Sequence, residues 1–116
     1  SSVAGSISSM GRPSSLPILS ISKAALNMAM KTVALRLKDE GVTVILLNPG
    51  AVDTRALRQA FGLSLEEAEK ATNFDYKGYP TVSPEEGVRR MIDVIENANQ
   101  SQNGSFLNHD GKELPW

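Results

Sequence analysis

Few side chains in this sequence could take part directly in chemistry, and one lysine stands out among them. Lys23 lies in "SISKAALNM", where the pattern predicts that a helix has just begun. A lysine is unfavourable in the first turn of a helix, because the N-terminus carries partial positive charge. Ser2 and Ser22 supply hydroxyls, and serine–lysine pairs serve as nucleophile and base in some hydrolases. The sequence has no GxSxG motif, so a serine-based hydrolase is one hypothesis among several.

The composition is that of a soluble globular protein. The 116 residues suit one domain or part of one, with 41% hydrophobic and 22% charged residues. A formal net charge of −1 offers no electrostatic attraction for nucleic acid or an acidic membrane surface. We find no apolar run that looks long enough to span a bilayer and no signal peptide, and therefore expect a cytoplasmic protein without nucleic-acid or membrane partners.

Cysteine and histidine usage excludes several kinds of site. The absence of cysteine rules out disulfides, thiolate catalysis and cysteine metal ligands. His109 is the one histidine, which argues against a histidine-based zinc site, so we expect no metal. Its "NHDG" context favours a surface turn.

The pattern divides the chain into alternating loops, helices and strands. A loop rich in Ser, Gly and Pro precedes a long helix, which Ser20 or Ser22 can cap and Gly41 ends. The predicted elements are a loop over 1–19, a helix over 20–40, a strand over 42–47, a loop region over 48–82, a helix over 83–99, and a last strand and tail over 104–116.

The first helix is apolar nearly all round, which indicates burial on more than one side. Lys23, Asn27 and Lys31 recur every four residues and leave one narrow polar stripe. Such a helix needs partner surfaces that a chain of this length does not supply.

The first strand, "VTVILL", follows the helix after one glycine, as a buried strand of a parallel sheet does. "NPGAVDT" then breaks the chain at the carboxyl end of the strand, the edge where open α/β sheets bind ligands. Two strands with two main helices are too few for a doubly wound sheet. The fold class is therefore α/β, the C-terminal half of a Rossmann-like parallel sheet completed by another segment or subunit.

Helix-start signals mark the second half of the chain. Ser64 with Glu67 forms a capping box for a short helix over 65–72. Ser83 is a cap with Pro84 after it, and Glu86 closes a second box. The apolar face of that helix is predicted to consist of Val88, Met91, Ile92 and Ile95.

Three motifs in order, "SSVAG", "SKAALNM" and "NPGAVDT", resemble the C-terminal half of the short-chain dehydrogenase/reductase family. The resemblance covers essentially the whole chain. "GSI" after the first serines and the ending "GSFLNHDGKELPW" are most similar to C-factor-like and sniffer-like carbonyl reductases. The resemblance implies that residues 1–19 form an active-site loop and that residues 48–82 form the cofactor and substrate loop region.

The resemblance implies a role for each matching residue. Ser2 would hydrogen-bond the substrate carbonyl. Lys23 would bind the nicotinamide ribose and lower the pKa of a tyrosine one turn earlier, because a phenol with a pKa of about 10 donates its proton poorly at neutral pH. The cofactor would be NADP or NAD, and the further residues implied to bind it are Pro49, Gly50, Val52 (through its backbone) and Thr54.

Two departures from the family pattern weaken the expected activity. Leu19 stands where the family has its tyrosine, and the glycine-rich dinucleotide fingerprint is absent. Tyr76 and Tyr79, in the predicted loop, are the available tyrosines. We therefore expect a protein whose ancestral activity was NAD(P)-dependent carbonyl reduction and in which the tyrosine mechanism is impaired or inactive. We also expect poor cofactor binding by this chain alone.

A second hypothesis is a non-enzymatic module that self-associates or binds a partner. In the family the helix that corresponds to 20–40 lies at a subunit interface. The expected partners are therefore a second copy, in a homo-oligomer, or a complementing N-terminal segment, with a small carbonyl compound as substrate.

Overall fold

This computed structural model describes residues 1–11, 16–71 and 74–116. Its elements are α1 (Pro17–Arg36), β1 (Leu46–Asn48), α2 (Arg55–Ala60), α3 (Leu65–Lys70), α4 (Pro84–Asn97) and β2 (Phe106–Asn108). Short 3₁₀ helices lie at Val3–Gly5, Lys38–Glu40 and Gln100–Gln102. The architecture is α/β, as predicted.

Helix α1 begins earlier than the sequence predicts. Its first residue is Pro17, which tolerates the first turn because it has no N–H to leave unpaired. The prediction that Ser20 or Ser22 caps the helix is wrong, and the Ser22 hydroxyl instead donates to the Leu19 carbonyl at 2.8 Å. Lys23 therefore lies in the second turn, where the helix dipole acts on it less.

The predicted end of the first helix at residue 40 is wrong, since α1 ends at Arg36, whereas the predicted reversal at Gly41 is confirmed. After α1 the chain continues as the 3₁₀ helix Lys38–Glu40 and reverses at Gly41, whose φ of 74° is the left-handed conformation that glycine favours.

The two strands pair in parallel, with Leu46 opposite Phe106 and Asn48 opposite Asn108. The predicted strand over 42–47 is placed too early. The Val44 N–H donates to the Asn103 side-chain Oδ1 at 2.8 Å and its carbonyl accepts from the Gly104 N–H at 2.7 Å, so the regular ladder begins only at Leu46. Leu46, Phe106 and Leu107 are buried and form the centre of the small core.

The C-terminal tail folds back over β2. The Leu114 N–H donates to the Phe106 carbonyl at 2.7 Å, and Trp116 stacks on the Phe106 ring with centroids 5.6 Å apart. Lys31 of α1 donates to the Gly104 carbonyl at 2.9 Å and lies over Trp116. The polar stripe of α1 thus faces the protein.

The region between β1 and α4 contains one helix that the sequence analysis missed. Thr54 caps α2, with its hydroxyl oxygen accepting from the Leu57 N–H at 3.3 Å. The capping box of Ser64 and Glu67 is confirmed at the start of α3, which ends at Lys70 and not at residue 72.

Helix α4 has the predicted cap but not the predicted box. The Ser83 hydroxyl accepts from the Glu86 N–H at 3.2 Å. The Glu86 carboxylate turns away from the cap and pairs with Arg89 and Arg90, which offer charged donors. The helix buries Gly87 and Val94, whereas three residues of the predicted apolar face are exposed: Val88, Ile92 and Ile95.

By length and composition, the 20-residue α1 could cross a membrane. The expectation that no apolar run is long enough is therefore wrong. The core helix of a soluble protein passes the same test, and here the Asn27 and Lys31 side chains of α1 hydrogen-bond backbone carbonyls elsewhere in the chain.

Candidate functional site

The serine segment at the start of the chain packs directly on α1. A Cβ added at Gly5 would lie 2.6 Å from the carbonyl carbon of Lys23, so only glycine permits this approach. The buried Asn27 side chain donates to the Gly5 carbonyl at 3.4 Å and accepts from the Ser1 hydroxyl. The Ser2 segment is thereby fixed beside Lys23.

Asn48 ties the same segment to the end of the sheet. Its Oδ1 accepts from the Val3 N–H at 3.0 Å, and its Nδ2 donates to Asn108 Oδ1 at 2.9 Å. The Ser1 amine donates to the Leu47 carbonyl at 2.8 Å. Sequence reasoning missed this role of Asn48. The available signal is its position at the end of the strand, directly before the Pro-Gly turn.

Ser2 therefore lies between two residues that are anchored to β1. Its backbone is extended, and its hydroxyl oxygen accepts from the Ala4 N–H at 3.2 Å, which leaves the hydroxyl hydrogen able to donate elsewhere. Burial and the nearby Lys23 charge lower the pKa of the Ser1 amine. Ser2, Lys23 and the carboxyl end of β1 thus form one neighbourhood.

Leu19 lies one helical turn before Lys23 on the same face of α1, and its side chain contains no group that exchanges protons. Leu19 is 39% exposed, and its carbonyl is occupied by the Ser22 hydroxyl. Among the described residues, neither the Ser2 nor the Ser22 hydroxyl hydrogen-bonds Lys23. The serine-based hydrolase hypothesis gains no support from this arrangement.

The "NPGAVDT" loop exposes backbone hydrogen-bonding groups beside this neighbourhood. The Val82 N–H donates to the Ala51 carbonyl at 3.0 Å, and the Asp53 N–H donates to the Val82 carbonyl at 2.8 Å. This parallel bridge does not use the backbone N–H and C=O of Val52, and neither group has a hydrogen-bond partner among the described residues.

The other residues of this loop are compatible with a bound amide. Pro49 and Gly50 form a turn in which Gly50 has a φ of 74°, and the exposed Thr54 hydroxyl keeps its hydrogen available for donation. Val52 and Thr54 together offer donors and an acceptor, which is the set that a carboxamide requires. The loop therefore fits the nicotinamide end of a cofactor, whereas this chain supplies no glycine-rich turn for the pyrophosphate.

Asp53, in the same loop, is the centre of a polar cluster that the sequence analysis missed. Arg58 binds it through two donors, Nε to Oδ1 at 2.7 Å and Nη2 to Oδ2 at 2.9 Å, and the Tyr76 hydroxyl donates to Oδ1. The side chains of Arg58 and Asp53 are only 14% and 23% exposed. Arg58 also reaches the Ala68 carbonyl at 3.3 Å and the Ala71 carbonyl, so it joins α2 to the end of α3.

These contacts shift two pKa values in opposite directions. Hydrogen bonds from Arg58 and from Tyr76 lower the pKa of Asp53. Burial, followed by the hydrogen bond to Asp53, raises the pKa of Tyr76. Tyr76 is therefore a poor source of a phenolate. Tyr79 packs with Phe61, at 5.6 Å between centroids, in the same aromatic group as Tyr76.

His109 is more than a surface turn residue. The turn itself is present, with the Gly111 N–H donating to the Asn108 carbonyl at 2.9 Å. The half-buried imidazole, however, packs on Gly50, where an added Cβ would lie 2.5 Å from His109 Cδ2. Within the described ranges, no group of three His, Cys, Asp or Glu residues could hold a metal ion.

Comparison with known proteins identifies the family. No family model matches the chain. An uncharacterized oxidoreductase of Saccharomyces cerevisiae is 42% identical over 113 residues, and a short chain dehydrogenase of Penicillium aethiopicum is 34% identical over 116 residues. The chain belongs to the short-chain dehydrogenase/reductase family. The alignments cover 97% and 100% of the chain but only 42% and 43% of these relatives.

Solved structures of the family confirm the fold. The carbonyl reductase Sniffer of D. melanogaster superposes over 100% of this chain with a TM-score of 0.75 and 27% identity. An NADPH-bound carbonyl reductase from chicken fatty liver does so with a TM-score of 0.73 and 29% identity. This chain covers 39% and 40% of those two chains, and it has the Rossmann-like fold of this reductase family. The roles of Ser2, Lys23, Pro49, Gly50, Val52 and Thr54 stay predictions.

Proposed function

We propose that this chain forms the nicotinamide and carbonyl side of an NAD(P)-dependent carbonyl reductase site whose tyrosine-dependent proton transfer is impaired. The supporting observation is that the Ser2 segment contacts two parts of the site. Gly5 packs against the Lys23 backbone, and the Val3 N–H donates to Asn48 at the end of β1. In the proposal, a hydroxyl, a lysine and the carboxyl end of a strand meet at the edge of the sheet, where a carbonyl substrate and a cofactor would bind.

Each residue of this neighbourhood has a separate task in the proposal. Carbonyl reduction adds a hydride to the carbonyl carbon and a proton to the oxygen, and the reduced nicotinamide supplies the hydride. Ser2 holds the carbonyl oxygen and Lys23 binds the ribose of the cofactor. Leu19 cannot donate the proton, and Tyr76, which donates to Asp53, does not replace it.

The cofactor of the proposal is NADPH or NADH. One structural relative binds NADPH, and the Val52 and Thr54 groups of this chain suit a carboxamide. The pyrophosphate and adenosine need a glycine-rich half, which a complementing N-terminal segment would supply. Binding by this chain alone is therefore expected to be weak.

Titration of the chain with NADPH, followed by cofactor fluorescence, tests the proposal. We expect weak saturable binding that is reduced in Lys23→Met. Lys112→Met is the matched control, because Lys112 is exposed and, among the described residues, its side chain pairs with Asp110 at 3.3 Å. An absence of change at high NADPH concentration would exclude cofactor binding by this chain alone, and equal loss in both variants would contradict the role of Lys23.

A second function, self-association, is favoured by one observation. The outer face of α1 exposes large apolar side chains, with Ile21 and Met28 each 70% exposed and Leu35 65% exposed. They recur every seven residues and so share one face of the helix. A homo-oligomer would remove this face from water. Light scattering that finds a compact monomer at micromolar concentration would count against it.

A further inference from the structure

A cleft of about 290 Å³ lies behind the Pro49–Gly50 turn, on the side of α4 and of the turn that follows β2. Its volume is near the lower end of small-molecule sites, which begin at roughly 300 Å³. The lining residues come from four parts of the chain: Pro49, Gly50 and Ala51; Pro80, Thr81 and Val82; Arg90; and His109.

Three side chains that line the cleft have unused hydrogen-bonding capacity. Arg90 uses only Nε, which donates to Glu86 Oε1 at 2.6 Å, so both terminal amino groups are free in the part of the chain that the structure describes. In the same part, the His109 ring and the Thr81 hydroxyl have no hydrogen-bond partner. A cavity with a few polar side chains among apolar lining residues is typical of a small-molecule site.

Two of these side chains are held in position before any ligand binds. The salt bridge from Arg90 Nε to Glu86 restrains the guanidinium, whose side chain is 35% exposed, and leaves its two terminal amino groups out of that pair. His109 packs on Gly50, where any Cβ would collide with the ring. A site whose donors are already placed loses less conformational entropy on binding.

The charge near the cleft suits a single negative charge. Glu86 lies between Arg90 and Arg89, with its Oε1 2.8 Å from Arg89 Nη2, and Asp93 pairs with Arg89 at 3.0 Å, so these two arginines and two carboxylates carry no net charge together. Of these four side chains, however, Arg90 alone lines the cleft, which leaves one guanidinium to face a ligand.

We propose that this cleft binds a small organic carboxylate. The two coplanar oxygens of a carboxylate match the free edge of the Arg90 guanidinium, while the Thr81 hydroxyl and the His109 N–H donate to the remaining lone pairs. A phosphate, with nearly two negative charges, would meet one guanidinium already shared with Glu86. None of these three side chains takes part in the proposed reductase site, so the inference goes beyond it.

The single histidine gives a direct test on the chain as it stands. Propionate is titrated at constant ionic strength and pH while the His109 imidazole resonances are followed by NMR. We expect a saturable shift with propionate and none with propionamide, which has the same shape and no charge. A linear, non-saturating drift, an equal response to propionamide, or tighter binding of inorganic phosphate would each overturn the proposal.

Two arginine variants separate the site from general electrostatics. Arg90→Gln should weaken propionate binding roughly tenfold or more, because the charge-assisted pair is lost. Arg89→Gln should leave it within about twofold, since Arg89 also pairs with Glu86 but does not line the cleft. Arg90→Lys, which keeps the charge without the planar edge, should bind at an intermediate strength. Equal weakening by Arg89→Gln and Arg90→Gln, with unchanged far-ultraviolet circular dichroism, would also overturn it.

Discussion

At Leu19 an aliphatic side chain lies one helical turn before Lys23. The charge of Lys23 adds to burial, the larger cause, in lowering the pKa of the Ser1 amine nearby. The Lys23 ammonium group would stabilise a phenolate at position 19, but the leucine there has no phenol. In the proposed site, Lys23 would support proton transfer that the leucine side chain before it cannot carry out. This residue pair limits the proton transfer of the proposed reaction, and the missing glycine-rich turn limits cofactor binding by this chain.

Replacing Leu19 with tyrosine tests that placement without any cofactor. The new phenol in Leu19→Tyr should titrate roughly one pH unit or more below its ordinary pKa of about 10, because Lys23 favours the ionised form. Near-ultraviolet absorbance of the phenolate measures this, with the parent chain as the background for Tyr76 and Tyr79.

The control is the double variant with Lys23→Gln, in which the pKa of the new phenol should return towards its ordinary value. If both variants titrate alike, then Lys23 does not act on position 19, and the proposed role of the lysine fails.

At the scale of elements, α2 and α3 form a strap that one salt bridge holds to the "NPGAVDT" loop. Arg58 of α2 binds Asp53 of the loop and two carbonyls at the end of α3, while Tyr76 closes the cluster. The strap itself contains few buried side chains, with Ala68 the buried residue of α3. Its position therefore depends on a polar cluster, and so on pH.

The pH dependence follows from the lowered pKa of Asp53. A carboxylate with a lowered pKa stabilises the folded state above the ordinary value of about 3.9, and that contribution is lost as pH falls through the lower folded-state value. The near-ultraviolet circular dichroism of the Phe61, Phe74 and Tyr76 group should therefore persist at pH 4 and disappear at more acid pH.

Asp53→Asn should show at neutral pH the spectrum that the parent chain shows in acid, because the amide cannot pair with Arg58 in the same way. Asp39→Asn, in the exposed 3₁₀ helix after α1, should change nothing. A parent-like spectrum of Asp53→Asn at neutral pH would show that the strap does not depend on this pair.

At the scale of the whole molecule, α1 is oriented opposite to an ordinary surface helix. Its polar stripe faces the protein, where Asn27 binds the Gly5 carbonyl and Lys31 binds the Gly104 carbonyl. The apolar residues Ile21, Met28 and Leu35 lie on the outer face. An exposed apolar face of this extent is typical of an interface.

Met28→Glu places a charge at the centre of that face and should weaken self-association roughly tenfold or more, because the charge would be buried without a partner. Concentration-dependent light scattering measures the change. Gln59→Glu adds the same charge on exposed α2 and should leave association unchanged. Equal effects of both substitutions would mean that net charge, and not this face, controls association.

The sequence by itself determined the family, the α/β class, the parallel strand pair, and the caps at Ser64 and Ser83. These are local or ordered signals: motifs in series, apolar runs, and serines followed by glutamate at the spacing of a capping box. It also determined the pairing of Lys23 with Leu19, since a spacing of four residues fixes one helical face.

Only the tertiary structure decided the contacts between distant segments. In the structure α1 begins at Pro17 and not at residue 20. Both serines that were expected to cap it lie within the helix, and the Ser22 hydroxyl donates to the Leu19 carbonyl. Three contacts join residues that are far apart in the chain: the hydrogen bond of Asn48 to Val3, the hydrogen bond of Asp53 to Tyr76, and the packing of His109 on Gly50. Hydrogen bonds and close packing depend on three-dimensional proximity, which residue spacing specifies only within one helix or strand.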